Sequence, residues 1–191
     1  MKAVGVFGGS FDPIHLGHLI TSYDVLEKRN LEKIIFVPCH ISPHKEHQVP
    51  TDDAHRLNMI KLAIEHFPFF EVNDYEIRQD GISYTLNTLI ELKKYYSNIE
   101  LIIGFDNLLV FESWYQPDEI LKIAKLVVMK REPDNAGSFK NKYFESAIIL
   151  DTVLIDISST EIRSRIINNE SIDYLVPTKV KDYIEQQGLY K

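Results

Sequence analysis

Lys2-Ala3-Val4-Gly5-Val6-Phe7-Gly8-Gly9-Ser10-Phe11-Asp12-Pro13-Ile14-His15-Leu16-Gly17-His18 changes character twice along its length. A short apolar, β-branched run from Lys2 to Phe7 stops at two glycines. From Gly17 to Arg29, Leu19, Ile20, Tyr23 and Leu26 then recur at helical spacing. The pattern predicts a strand, a glycine turn and a helix. Glycines let backbone N–H groups approach a phosphate closely, and a helix starting near Gly17 directs its positive end to the same place. The turn therefore reads as an anion site. It is not a Walker loop, because the Gly-Lys-Ser/Thr ending is missing. Nor does Gly5-Val6-Phe7-Gly8-Gly9 supply the G-x-G-x-x-G dinucleotide fingerprint.

Beyond this unit the alternation continues. Lys33 to Cys39 reads as a second buried strand, followed by a His- and Pro-rich loop from His40 to Thr51 and a helix from Asp52 to about His66. Phe69 to Ile77 alternates like a half-buried strand, and Thr85 to Tyr96 places Leu86, Leu89, Ile90 and Leu92 on a helical face. Glu100 to Gly104, Lys125 to Lys130 and Ala147 to Ile155 read as further strands. Helices are expected at Pro117 to Ala124, Ser159 to Asn168 and Thr178 to Gln187, the last ended by Gly188. Strands that alternate with helices and read as continuous apolar runs predict an α/β domain, with a mainly parallel sheet and helices on both faces. Ligands in such sheets bind at the carboxyl ends of the strands. Chemistry is expected just after strands one, two, four and six.

Composition bounds the reading. The chain has 191 residues, 45% of them hydrophobic, which is enough to bury one core, and residues 1–191 are expected to form a single domain. One cysteine, Cys39, precludes an intramolecular disulfide or a cysteine zinc cage and fits a reducing compartment. The first apolar run is too short for a signal peptide and no segment is long enough to span a bilayer, so a cytoplasmic protein without a membrane partner is expected. A formal charge of −7 argues against a nucleic-acid partner, since neutralising a phosphate backbone needs a basic surface. Small phosphorylated substrates need only a local cluster of donors.

His15 and His18 supply such a cluster. Three residues apart at a helix start, both imidazoles can face one phosphate. Far along the chain, Ile157-Ser158-Ser159-Thr160-Glu161-Ile162-Arg163 repeats the logic, with hydroxyls and helix N-terminal amides followed one turn later by a planar guanidinium. GGSFDPIHLGH resembles the signature of the nucleotidyltransferase superfamily with an (H/T)xGH motif, and the second block resembles that family's ISSTxIR motif. The likeness to its nicotinate mononucleotide adenylyltransferases covers nearly the whole chain. Ile41-Ser42-Pro43-His44-Lys45 resembles their PPHK segment, Ile102 to Asp106 their IIGxD strand end, Ser83-Tyr84-Thr85 their SYT segment, and Trp114-Tyr115 their WY element. Ser10 stands where the family usually has Thr, Ile14 where it often has Pro, and Lys130-Arg131-Glu132-Pro133 departs from its RPG run.

The resemblance implies a Rossmann-like nucleotidyltransferase fold and direct attack of a mononucleotide phosphate on the α-phosphorus of ATP, with Mg2+ sharing the charge. It implies that His15, His18, Lys45 and Arg163 serve the transferring phosphates. ATP would lie against Gly8, Gly9, Ser10, Phe11, Gly17, Gly104, Asp106, Ile157, Ser158 and Ser159. Nicotinate mononucleotide would lie against Asp12, His44, Ser83, Tyr84, Thr85 and Trp114, with Trp114 stacked on the pyridine. Within the same class the acceptor could instead be nicotinamide mononucleotide or phosphopantetheine. A nucleotide-binding regulatory module and a dinucleotide-dependent redox enzyme are the readings from other classes. His40, His44 and His47 also invite a metal-site reading with His15 or His18, though no carboxylate spacing supports it. A homo-oligomer is compatible with the sequence, which does not set the oligomeric state.

Overall fold

A computed structural model describes residues 2–43, 50–79, 81–130 and 142–191. Among these residues six strands form one sheet: β1 (Val4–Gly9), β2 (Ile34–Pro38), β3 (Phe70–Val72), β4 (Ile99–Gly104), β5 (Lys125–Lys130) and β6 (Ala147–Asp151). Every pair is parallel, in the spatial order β3-β2-β1-β4-β5-β6. The chain builds outward from β1 through β2 to β3, then returns to pair β4 with β1, Val4 opposite Ile99. This is the Rossmann-type order, with a crevice where the direction of building reverses. The crevice lies at the carboxyl ends of β1 and β4, where the sequence places Gly8-Gly9 and Gly104.

Burial on both sides explains the unbroken apolar runs. All five residues of β2 are buried, and parallel sheets covered on both faces have no solvent side to favour alternation. One core cluster joins β1 and β2 to α1 (Leu16–Lys28), α2 (Asp53–Ile64), α7 (Ser159–Ile167) and α8 (Thr178–Gln187), through residues such as Ile34, Phe36, Met59, Ile162 and Val180. The other lies beneath α4 (Thr85–Leu92), α5 (Phe105–Leu109) and α6 (Pro117–Ile123), through Leu89, Leu101, Leu108 and Ile120. Among the described residues no helix is long and apolar enough to cross a membrane.

Several local expectations are corrected. The strand expected over Phe69 to Ile77 is confined to Phe70–Val72. Asn73 Oδ1 accepts the Tyr75 N–H, and the chain turns into a short helix, α3 (Tyr75–Arg78), which buries Glu76. Helix α5 and the 3-10 turn Phe111–Ser113 were hidden in the stretch after β4. The expected sixth strand is shortened, ending at Asp151. On α1 the buried stripe runs through Leu19, Ser22, Val25 and Leu26, while Ile20 and Tyr23 are about two-fifths exposed. Buried Ser22 broke the apolar pattern and shifted the inferred face.

Candidate active site

The crevice is a cavity of about 1660 Å³. It exceeds the roughly 300–1,000 Å³ of ordinary small-molecule sites and has room for two substrates side by side. Gly8 to Asp12, His15, His18, Ser83 to Thr85, Gly104 to Asp106, Trp114, Ile157 to Ser159 and Arg163 all line it. Gly17 lies behind His15 rather than on the wall. His44 and Lys45, with His47 and Arg131, lie outside the described residues.

The two histidines are locked by the start of α1. His15 is the N-cap and 4% exposed, and its Nδ1 accepts the His18 N–H at 3.3 Å. In return His18 Nδ1 accepts the His15 N–H at 3.3 Å, closing a reciprocal capping box made of two imidazoles. The rings stack with centroids 3.7 Å apart. With both Nδ1 atoms accepting, the ring proton of each neutral imidazole sits on Nε2, the nitrogen that can donate to a phosphate oxygen. Phe11, at a left-handed φ of 47°, packs T-shaped against the His18 ring, with centroids 5.1 Å apart.

A side chain in place of Gly17 would leave the His15 ring little room. A Cβ there would stand 3.0 Å from His15 Nδ1 and 3.1 Å from its Cε1. Gly17→Ala is therefore expected to tilt the His15 ring and lower turnover by about tenfold or more, because misplacing a catalytic group by a fraction of an ångström is costly. A steady-state assay of the folded variant at wild-type rate would remove this reading. At Gly8 and Gly104 a Cβ would meet nothing within 4 Å, and neither residue has a positive φ. No contact among the described residues calls for glycine there, whereas the close approach of a ligand would.

The late block docks onto the first loop. Ser158 caps α7 by accepting the Glu161 N–H at 3.1 Å, and Ser159 Oγ donates to the Pro13 carbonyl at 2.9 Å. Arg163 Nη1 donates to the Asp12 carbonyl at 2.7 Å, next to the cis Asp12-Pro13 bond. The side chain of Asp12 is buried. Its Oδ2 accepts the Thr51 N–H at 3.1 Å and its Oδ1 accepts the Tyr190 hydroxyl at 2.6 Å.

On the opposite wall, Tyr84 is the N-cap of α4 and makes no side-chain capping bond, so neither Ser83 nor Thr85 caps this helix. Ser83 instead accepts the His40 N–H at 2.9 Å, while its own N–H donates to the Ile41 carbonyl. The Tyr84 and Tyr115 rings lie 4.7 Å apart, and Trp114 is half-buried against Phe111. Gly104 is the N-cap of α5 and Asp106, exposed, sits in its first turn.

Sequence reasoning missed three residues here. Glu76 lines the cavity and is buried. Burial pushes its carboxyl above the usual range, against the opposing pull of hydroxyl bonds from Thr88 and Ser83. Arg56 is fully buried, yet its guanidinium donates to the carbonyls of Thr51 at 2.9 Å, Ser10 at 2.7 Å and Cys39 at 2.7 Å. It also pairs with Asp53, whose other oxygen holds the His40 ring. A signal existed: Arg56 falls on the helical stripe of Met59, Ile60 and Ala63, where an exposed arginine would not. Tyr190, by contrast, carries no local signature.

The cytidylyltransferase-like family matches residues 6–165. The chain is 41% identical to a Clostridium tetani protein named "Probable nicotinate-nucleotide adenylyltransferase", covering 100% of both chains. It is 39% identical to the Bacillus subtilis "Nicotinate-nucleotide adenylyltransferase", again over 100% of both. The fold is similar to that of a solved Plasmodium falciparum nicotinic acid mononucleotide adenylyltransferase complexed with NaAD, with a TM-score of 0.74 at 22% identity, covering 100% of this chain and 98% of that one. With its whole length matched at this level of identity and its site built from the two blocks that pointed there, the chain belongs to the cytidylyltransferase-like family and, within it, to the nicotinate-nucleotide adenylyltransferases.

Proposed function

We propose that the chain transfers the AMP part of ATP to the 5′-phosphate of nicotinate mononucleotide, giving nicotinate adenine dinucleotide and pyrophosphate in NAD biosynthesis. The observation that carries this reading is the convergence of the first loop and α7, through the Arg163 and Ser159 bonds to Asp12 and Pro13, on one wall of a two-substrate cavity. ATP lies along that wall, its base and ribose toward Gly104 and Asp106 and its phosphates toward Gly9, Ser10, His15, His18 and Arg163. A phosphate oxygen of the acceptor attacks the α-phosphorus, the bond to the bridging oxygen breaks, and pyrophosphate leaves. The histidine Nε2–H groups and Arg163 offset the charge that builds on the phosphoryl oxygens, and Lys45 adds to that offset as transfer proceeds. No covalent intermediate with the protein is involved.

Among the described residues no three His, Cys, Asp or Glu side chains converge on a metal-sized space. The donor set suits a magnesium ion carried on the triphosphate, where it would share the charge of the phosphate oxygens. The acceptor lies across the cavity with its pyridine beside Trp114, its phosphate near Asp12 and His44, and its carboxylate at the amides opening α4 around Ser83, Tyr84 and Thr85. That helix start has no side-chain cap, as a carboxylate-binding terminus requires. We place the reaction in the cytoplasm with small molecules as its only substrates.

The test is pyrophosphate release with ATP, magnesium and one of three acceptors: nicotinate mononucleotide, nicotinamide mononucleotide or phosphopantetheine. A preference of at least tenfold in kcat/KM for the nicotinate acceptor is expected. Equal use of the nicotinamide acceptor would remove the role given to α4, and silence with all three from folded, ATP-binding protein would point to a regulatory nucleotide-binding module.

A further inference from the structure

Helix α8 ends in a glycine cap that turns the chain back toward the cleft. Gly188 adopts φ 62°, and the Leu189 N–H returns to the Ile184 carbonyl at 3.0 Å. Tyr190, itself at φ 64°, then enters the cavity wall. Its hydroxyl donates to Asp12 Oδ1 at 2.6 Å, while the Thr51 N–H holds the other oxygen of Asp12 at 3.1 Å. The Asp12 carbonyl in turn receives Arg163. One phenol hydroxyl thus ties together the loop after β1, the residue that closes the β2–α2 connection, and the anchor of α7.

The geometry points to Tyr190 as a positioning residue for adenylyl transfer, which fixes the Asp12 carboxylate and through it the relative placement of Thr51 and Arg163. The inference rests on the transferase reading above. Burial and the neighbouring Asp12 carboxylate both push the phenol pKa well above its ordinary value, so the hydroxyl remains a donor throughout the working pH range. Tyr190 need not touch a substrate. Its effect falls on alignment, and losing it should lower kcat rather than weaken binding of either substrate.

Tyr190→Phe keeps the ring and removes the one hydroxyl. Expected are a kcat about tenfold below wild type, KM for ATP and for nicotinate mononucleotide within about threefold, and a melting temperature lowered by no more than about 4 °C. The decisive measurement is the cycle with Asp12→Ala. If Tyr190 acts through Asp12, adding Tyr190→Phe to Asp12→Ala changes kcat by less than about twofold. Full multiplication of the two losses, or a wild-type kcat in Tyr190→Phe, would overturn the inference. The wild-type protein in the same assay separates this from failure of the reaction itself: no turnover there refutes the transferase reading, whereas normal turnover with an indifferent Tyr190→Phe refutes only the positioning role.

Discussion

His18→Ala is expected to lower kcat by about 10²- to 10³-fold, the range for removing one preorganised donor to a developing oxyanion. The preorganisation is visible in the ring's surroundings. Nδ1 accepts the His15 N–H, one face stacks on His15, and Phe11 stands edge-on at 5.1 Å. The ring therefore pays little to reorganise when charge builds on the phosphate. Alanine also removes half of the helix cap, which costs on the order of 0.5–2 kcal/mol of stability. The assay is accordingly paired with a melting curve and run below the midpoint. A loss confined to kcat places His18 at the transition state, while a loss confined to KM would make it a ground-state contact. Folded His18→Ala turning over at the wild-type rate would remove the residue from the mechanism.

Arg56→Met is expected to cost about 3–5 kcal/mol of stability, the usual penalty for breaking a buried ion pair from one side. Methionine matches much of the volume but donates nothing, so the carbonyls of Ser10, Cys39 and Thr51 lose a shared partner and Asp53 loses its cation. At about 2–4 °C per kcal/mol for a chain of this size, the melting temperature falls by roughly 6–20 °C. Arg56→Lys retains the charge without the planar fork and should lie between wild type and Arg56→Met. The carbonyl of Ser10 points inward to Arg56, and because the peptide unit is planar and trans the following N–H, that of Phe11, points the opposite way. Turnover should therefore fall in Arg56→Lys as well. Urea unfolding reads the first effect, and a loss under 1 kcal/mol in Arg56→Met would contradict the clamp.

The sheet was legible because its strands are buried on both faces and punctuated by glycine. β5 matches the expected range residue for residue, β4 differs by one position at its start, and β1 and β2 differ by one or two positions at both ends. The Phe69 to Ile77 misreading shows where the logic fails. Alternating polarity can also come from a short strand followed by a helical turn, and the Asn73 side chain decides between them. At the candidate site, the glycines, histidines and the Ile157 to Arg163 block could be singled out because phosphate binding favours particular residue types at fixed spacing, and the structure brings them to one cavity. Glu76 and Tyr190 stayed hidden because no local spacing points to their partners, whereas the buried stripe of α2 did mark Arg56. Nothing near Tyr190 in the chain signals that Asp12 will be its acceptor.

The mutual cap of His15 and His18 also bears on how this stretch tolerates change. Each ring uses one nitrogen to accept the other residue's backbone N–H, and each ring packs on the other. Substitutions at the two positions should not combine as independent losses. Once one imidazole is gone, the other still accepts the backbone N–H of the substituted residue but has lost its stacking neighbour, and a second replacement has less left to remove. The two sites are coupled through their stacked rings, so the effect of a change at one depends on what stands at the other.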